Sequence, residues 1–229
     1  MTKILSIETA ASVCSAAVHE NGRLLAVQEL FIDKSHSGQL TLAIDNLVKN
    51  AGLELKDLSA VAVSEGPGSY TGLRIGTSTG KGLCYALDIP LLAVNTLEAM
   101  AAQAKKFNLH DALLCPMLDA RRMEVYCMLA DASGKTIRET EAKVLDEDSF
   151  SVELAEGPVI FFGSGAEKTK QLFGNNKNAL YWDDVQPSAV GVGILAYEKF
   201  KNEQFEDVAY FEPFYLKEFR LTTPKKKLL

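Results

Sequence analysis

The amino-acid sequence predicts a two-lobe α/β protein in which the two lobes are copies of one structural unit. Each half of the chain has three strand-like segments with a tight turn before the third, at Gly22 in the first half and at Gly134 in the second. In each half a further apolar strand then runs into a glycine turn and a helix. An acidic residue ends the first strand of each half, Glu8 and Asp119. This order of elements favours a duplicated α/β unit with a reduced second lobe.

The first half carries clear secondary-structure signals. Asn21 and Gly22 form the dipeptide that best suits a two-residue hairpin turn. Apolar residues recur at helical spacing before Gly52, a typical helix C-terminal cap, and Pro90 follows the end of the next helix. The predicted elements are strands Ile4–Glu8, Val13–His19 and Arg23–Phe31, a helix over Leu40–Ala51, strand Val61–Val63, a helix from Ser69 to Asp88, strand Leu91–Val94 and a helix over Thr96–Lys106.

The second half repeats the pattern after residue 111, and a last helix follows Pro187. The predicted elements are strands Ala112–Leu118, Glu124–Ala130, Thr136–Val144 and Val159–Phe162, a helix that ends at Phe173, a helix over Ser188–Phe200 and an extended segment Tyr210–Leu216. We therefore expect a first lobe at residues 1–106, with residues 208–229 packing back on it. Residues 107–207 are expected to form the smaller second lobe.

Composition places the chain among ordinary globular proteins. Of its 229 residues, 47% are hydrophobic and 24% are charged, and no apolar stretch is long enough to span a membrane. We expect a cytoplasmic protein, because the N-terminus lacks the long apolar core of a signal peptide. A net charge of −6 argues against general binding to DNA or other nucleic acids. The scattered cysteines and histidines predict no metal site, and Lys225–Lys227 is expected to be a solvated tail.

Three glycines form a stripe along the helix that follows Val63. Gly72, Gly76 and Gly80 are four residues apart, so they share one helical face. Each glycine inside a helix costs about 1 kcal/mol relative to alanine. The stripe therefore predicts that another backbone packs closely against this face.

The glycines of this stretch do not form a nucleotide-binding motif. The run Gly76–Gly82 is one residue short of a P-loop and has a glycine where that motif has a serine or threonine. What remains is a turn at Gly66, Gly68 and Ser69 ahead of a helix. Its amide groups can contact an anion or nucleotide, or the glycines can simply meet the conformational demand of a tight turn. Both interpretations stay open.

Glu8 and Asp119 are the weak catalytic candidates. In a true duplication the two carboxylates face one cleft, where they can serve metal-assisted phosphoryl transfer. Against this, Asp119 precedes Arg121 and Arg122, which can simply pair with it. Arg121 is alternatively a guanidinium fork for a phosphate.

The repeated arrangement of three strands followed by helix, strand and helix resembles the actin-like ATPase fold of sugar kinases and actin. Four segments, Glu65–Arg74, Ile7–Thr9, Asp119–Arg122 and Pro213–Lys217, closely resemble the TsaB (YeaZ) family. This resemblance covers essentially the whole chain. It implies a subunit that acts with TsaD, TsaE and TsaC in forming threonylcarbamoyladenosine next to the anticodon of tRNA.

The resemblance also implies a subunit without catalytic activity. Thr96 and Met100 stand where the paralogue TsaD has metal-binding histidines, and neither side chain suits a catalytic cation. The chain would then pair with TsaD, or with a second copy of itself when alone, and reach tRNA only through the complex. No cofactor is expected in the isolated chain, and ATP or ADP would enter only in the complex. The implied partner interface consists of Leu40, Ile44, Leu47, Tyr70, Gly72, Leu73, Arg74, Gly76, Thr77 and Gly80.

If the glycine stripe is that interface, Gly76→Leu should leave the monomer folded and abolish pairing. Two rivals remain. One is an active ATP-dependent transferase or kinase that uses Glu8 and Asp119. The other is a metallopeptidase, against which the missing metal histidines count.

Overall fold

The computed structural model describes residues 1–31 and 36–217, which form two five-stranded sheets flanked by helices. None of the helices in this part of the chain is both long and apolar enough to cross a membrane. The first half contains β1 (Lys3–Glu8), β2 (Cys14–Glu20), β3 (Arg23–Leu30), α1 (His36–Asn50), β4 (Ala60–Gly66), α2 (Tyr70–Leu87), β5 (Leu91–Asn95) and α3 (Thr96–Ala104). The second half contains β6 (Leu113–Asp119), β7 (Glu124–Ala130), β8 (Thr136–Val144), α4 (Ser151–Glu156), β9 (Val159–Phe162), α5 (Ala166–Phe173), β10 (Ala179–Trp182) and α6 (Ala189–Lys201).

The two sheets have the same plan. Their strand orders are β3-β2-β1-β4-β5 and β10-β9-β6-β7-β8. In the first, β1 pairs with β2 in antiparallel and with β4 in parallel orientation; in the second, β6 pairs in the same way with β7 and β9. A parallel pair requires a crossover, which α1 supplies in the first sheet and α4 in the second. The predicted two-lobe α/β class is thus confirmed.

Alternation along β1 decides what each face of the first sheet contacts. Leu5 and Ile7 join the apolar cluster that includes the buried face of α1, whereas Ile4 on the opposite face packs with Val192 of α6. In the second sheet, one face packs against an aromatic group that includes Phe161 and Phe173. Helices α3 and α6 contact each other, with α3 also packing on the second sheet.

Helix α6 corrects the predicted division of the chain. It was assigned with residues 107–207 to the second lobe, yet it packs on β1, β2, β4 and β5 of the first sheet. Two glycines permit this close approach, because a β-carbon at Gly191 would overlap the backbone of Ala99, and one at Gly193 would overlap the His19 ring. By packing, α6 therefore belongs to the first lobe.

The described part of the C-terminal segment lies across the first lobe. Glu206 donates its amide to the Leu91 carbonyl at 2.9 Å, and Lys81 Nζ donates to the carbonyls of Ala209 and Phe211 at 3.0 and 3.1 Å. The Phe214 amide donates to the Glu65 carbonyl at 2.7 Å. We call residues 206–217 the C-terminal strap. The predicted tail at 225–227 lies outside the described residues.

Candidate functional site

The candidate site lies where β1 and β6 end, because these ends carry the two carboxylates that the duplicated pattern singled out. Strand β1 ends at Glu8 and strand β6 at Asp119. Equivalent positions in the two sheets give the residues equivalent backbone settings. Their side chains nevertheless have different surroundings.

Glu8 is sealed inside the protein. Its side chain is fully buried, and its Oε1 accepts hydrogen bonds from the Ala10 amide at 2.6 Å and the Ser64 hydroxyl at 2.9 Å. Burial raises the pKa of Glu8 to about 7, although the hydrogen bonds from Ala10, Ser64 and Thr9 act in the opposite direction. Within residues 1–31 and 36–217, its second oxygen, Oε2, has no hydrogen-bond partner. Glu8 is therefore placed to hold a proton rather than to reach a ligand.

Asp119 is half exposed, with 47% of its side-chain surface open to solvent. Its carboxylate accepts a hydrogen bond from the Arg121 amide at 2.6 Å and pairs with Lys168 Nζ at 3.0 Å, while its own amide donates to Ser164 Oγ. Partial burial opposes ionisation, but the Arg121 and Lys168 interactions outweigh it and hold the pKa of Asp119 below its usual range. The ion pair that forms is with Lys168, not with the arginine side chains that the sequence suggested.

The turn at Gly66, Gly68 and Ser69 is filled by the chain itself. A β-carbon at Gly66 would lie 2.7 Å from the Phe214 carbonyl oxygen, and one at Gly68 would overlap Ala10. The Ser69 amide donates to the Ala10 carbonyl at 2.7 Å, and Ser69 Oγ caps α2 by accepting from the Gly72 amide. Gly66 also has a φ of 118°, which favours glycine. This geometry favours the tight-turn interpretation over an anion cradle.

The interface predicted for the glycine stripe is wrong, because the stripe faces the chain's own sheet. A β-carbon at Gly72 would overlap the Thr9 carbonyl oxygen, and one at Gly76 would overlap the Thr9 hydroxyl. At Gly80 the nearest atom is a methyl carbon of Val63, 2.6 Å from the β-carbon position. The Thr9 hydroxyl itself donates to the Gly72 carbonyl at 2.8 Å. The close neighbour predicted from the stripe exists, but it is the β1–β2 turn and β4 rather than another chain.

Most of the other predicted interface residues are also buried within the chain, since they form its core. These residues are Leu40, Ile44, Leu47, Leu73 and Thr77. Arg74 is exposed and lies over the Tyr70 ring, and its Nε donates to the Tyr215 hydroxyl of the strap at 3.4 Å.

The outward faces of α1 and α2 carry different residues. Leu42 and Tyr85 are 53% and 88% exposed, and Ser78 is also exposed. Gly82 is exposed and has open space around its β-carbon position.

Thr96 and Met100 lie inside α3, which Asn95 caps by accepting from the amides of Leu97 and Glu98. Both side chains are buried, and Met100 packs in the cluster between α3 and the second sheet. In the described part of the chain, no group of three or more histidine, cysteine or acidic side chains is arranged to hold a metal ion. Neither Thr96 nor Met100 is thus accessible to a ligand.

Two cavities lie near the second-sheet strands β9 and β10. One, of about 190 Å³, is lined from the first lobe by Glu29 and from the loop before α6 by Ser188; the other, of about 140 Å³, lies beside α5. Ser188 Oγ already donates to Glu29 at 2.5 Å. As formed by the described residues, neither cavity is lined by Glu8 or Asp119. Neither of these two cavities is therefore shared by the two carboxylates.

Comparison with known proteins assigns the chain to a family. A family model described as TsaD, tRNA N6-adenosine threonylcarbamoyltransferase, matches residues 31–224. The tRNA threonylcarbamoyladenosine biosynthesis protein TsaB of Bacillus subtilis (strain 168) is 33% identical over 175 residues, covering 74% of both chains. The chain belongs to the TsaB (YeaZ) family. TsaB of Escherichia coli (strain K12) is 29% identical over 94% of both chains.

Solved structures agree with this family. A Pseudomonas aeruginosa protein described as similar to peptidase YeaZ has a TM-score of 0.82 and 25% identity, covering 95% of this chain and all of that one. An activator of 2-hydroxyisocaproyl-CoA dehydratase from Clostridium difficile has a TM-score of 0.53 and 11% identity, covering 89% and 97%. The second likeness concerns the fold alone. Together these structures confirm that a TsaB-type chain has the predicted two-lobe fold.

Three residues of the site were not found from the sequence. Thr9 fills the glycine stripe, Ser64 binds Glu8, and Lys168 binds Asp119. Ser64 carried a weak signal, because it is the polar residue at the end of the apolar Ala60–Val63 run. No local pattern pointed to the contacts of Thr9 or Lys168, because each residue meets its partner only through the fold.

Proposed function

We propose that this chain is a non-catalytic subunit of the machinery that makes threonylcarbamoyladenosine on tRNA, and that it activates a TsaD-type transferase by binding it. The relatives' names support the pathway. The observation that carries the non-catalytic role is the burial of Thr96 and Met100 inside α3. The enclosed Glu8 adds to it, because a carboxyl without solvent or ligand access does not act on a substrate.

The partner surface in this proposal is the outward face of α1 and α2. Tyr85 and Leu42 are large apolar residues that these helices expose, and Gly82 lets a neighbouring helix approach closely. The same face pairs with a second copy in the isolated protein, because a two-fold contact needs only self-complementarity. TsaE- and TsaC-type proteins complete the assembly, and ATP or ADP binds only there.

The test is reconstitution with purified components. The chain alone, a TsaD-type partner alone and the mixture are each supplied with TsaC- and TsaE-type proteins, ATP, threonine, bicarbonate and tRNA. Nucleoside mass spectrometry then measures the modified adenosine. We expect product only from the mixture. Product formation without the TsaD-type partner, or ATP turnover by the purified chain with no other protein present, would show that the chain is an enzyme in its own right.

Gly82→Leu tests the surface separately. The new side chain projects from an exposed helical position, so the monomer should fold, yet light scattering should show the loss of both self-pairing and partner binding. Gly157→Leu in the second half is the matched control, because Gly157 also has open space around it. Unchanged pairing of Gly82→Leu would remove the α1–α2 face from the proposal.

A further inference from the structure

Two consecutive arginines occupy an unusual backbone conformation in the turn between β6 and β7. Arg121 and Arg122 have φ angles of 70° and 50°, in the left-handed region that residues other than glycine rarely adopt. The turn is fixed at both ends, since the Ala120 amide donates to the Glu124 carbonyl and the Glu124 amide to the Arg121 carbonyl, each at 3.1 Å. The Arg121 amide is also held by Asp119. The arginines are thus carried on a fixed turn.

The nearby carboxylates are already engaged by other groups. Asp119 pairs with Lys168 at 3.0 Å, and Glu124 pairs with Lys217 of the strap. Asp146, just beyond β8, accepts from the Ser149 hydroxyl at 2.7 Å. The four cations Arg121, Arg122, Lys168 and Lys217 therefore outnumber the two carboxylates that flank the turn, Asp119 and Glu124, in a chain whose net charge is −6.

Among the described residues, the two guanidinium groups have no partner. Arg121 and Arg122 are exposed, and within residues 1–31 and 36–217 neither guanidinium makes a hydrogen bond, ion pair or ring contact. Asp119 is the carboxylate nearest to the two arginines in the sequence, but its ion pair is with Lys168. Two charges held without a partner on a constrained turn are positioned for a ligand of opposite sign.

The strap extends this surface with cations and aromatic rings. Lys217, which pairs with Glu124, lies 5.9 Å from the Tyr126 ring centroid. Two residues earlier, the Tyr215 ring packs against the Tyr70 ring at an angle of 38°, with ring centroids 4.9 Å apart, and the Arg74 guanidinium lies over the Tyr70 ring. Cations interleaved with tyrosine rings suit a polymer that carries phosphates and planar bases.

We propose that the Arg121–Arg122 turn binds backbone phosphates of the RNA substrate. This inference rests on the proposed function, which supplies tRNA as that substrate. A free nucleotide is the other source of phosphate, but the arginines lie on an exposed turn and line neither cavity formed by the described residues. An exposed turn can contact a phosphate from one side only. Proteins contact the phosphates of a nucleic-acid backbone in this way, so the geometry favours RNA over a free nucleotide.

The experiment measures binding of a fluorescently labelled tRNA transcript to the complete complex by anisotropy, over a range of salt concentrations. The test variant is Arg121→Asn with Arg122→Asn, because asparagine tolerates the left-handed backbone and lacks the charge. The matched control is Arg23→Ala with Lys177→Ala. Both residues are exposed. Arg23 begins β3 and Lys177 precedes β10, at the ends of the two sheets opposite Glu8 and Asp119. ATP binding and light scattering are measured on the same samples.

We expect the double asparagine variant to bind tRNA about tenfold more weakly and to lower the slope of log affinity against log salt by between about one and two. The control should retain the wild-type affinity and slope. Unchanged tRNA binding in the asparagine variant overturns the inference. So does a loss of ATP binding alone, which assigns the turn to a nucleotide, or a loss of complex assembly, which assigns it to a protein partner.

Failure of the proposed function is distinguishable from failure of this inference. In the first case the wild-type chain does not support tRNA modification by its partner. In the second case the wild-type chain supports modification, and the asparagine variant binds tRNA as the wild-type chain does.

Discussion

The ends of β1 and β6 occupy equivalent places in two sheets of the same plan, yet their carboxylates differ in nearly every physical respect. Glu8 is fully buried, is hydrogen-bonded to neutral groups and has a raised pKa. Asp119 is half exposed, pairs with Lys168 and has a lowered pKa. Near neutral pH the first carboxyl is partly protonated, whereas the second is ionised.

This difference teaches that the repeated unit keeps its backbone plan while its two copies take separate roles. The first copy closes over Glu8 because the turn after β1 is packed under α2, where Thr9 contacts Gly72 and Gly76. The second copy leaves Asp119 open beside an exposed turn. We infer that the first site contributes to stability and that the second is the accessible one.

The largest expected effect on stability comes from a substitution that disturbs the packing of α2 over the buried end of β1. In Gly72→Ala the new methyl group overlaps the Thr9 carbonyl oxygen. The methyl carbon is bonded to the backbone and the oxygen is part of it, so neither can move easily. We expect a loss of about 3 kcal/mol in the free energy of unfolding, measured by urea denaturation. Gly82→Ala, on the same helix but with open space around it, should gain about 0.5–1 kcal/mol.

If Gly72→Ala were as stable as Gly82→Ala, the tight packing of α2 over Thr9 would be disproved. The same result would restore the earlier expectation for Gly76→Leu, a folded monomer that cannot pair. Since a β-carbon at Gly76 overlaps the Thr9 hydroxyl, we now expect that variant to lose stability instead.

An effect of similar total size is expected from Glu8→Gln, but it depends on pH. The pKa of Glu8 is about 7 in the folded chain against an ordinary value of 4.5, so the folded state holds the proton more tightly. The contribution of Glu8 to stability is therefore complete below pH 4.5 and is lost as the pH rises to about 7, by about 3 kcal/mol in total. The Glu8→Gln variant has no titrating carboxyl at this position, so it should not show this loss of stability as the pH rises.

Urea midpoints of the wild-type chain and Glu8→Gln at about pH 5 and about pH 8 provide the measurement. The difference between the two proteins should shift in favour of the variant as the pH rises. His19, whose pKa burial lowers to about 4, changes stability in the opposite direction, but it is present in both proteins and cancels. A difference that does not change with pH would contradict the closed environment of Glu8.

Much of the fold follows from local signals, whereas the environment of each site residue does not. The Asn21–Gly22 turn and Pro187 before α6 are local signals, and the elements around them were predicted within a few residues. Strand β10 was missed, because its four residues, unlike those of β9, are not a run of β-branched and aromatic residues that leads into a glycine turn. The packing partner of the glycine stripe was missed for another reason. A row of helical glycines predicts that some group packs closely against it, but it does not identify that group, and Gly72 and Thr9 are 63 residues apart in the chain.

The smallest expected effect on stability concerns Asp119, at the exposed end of β6. Asp119→Asn keeps an oxygen to accept from the Arg121 amide and removes only the charge that pairs with Lys168. Because the pair is half exposed, we expect a loss of about 0.5 kcal/mol near neutral pH. Since the pKa of Asp119 is lowered in the folded chain, this loss should fade as the pH falls through that pKa, the opposite direction to Glu8. A loss of about 2 kcal/mol or more in urea denaturation would mean that Asp119 is as enclosed as Glu8, and the proposed division of roles between the two ends would fail.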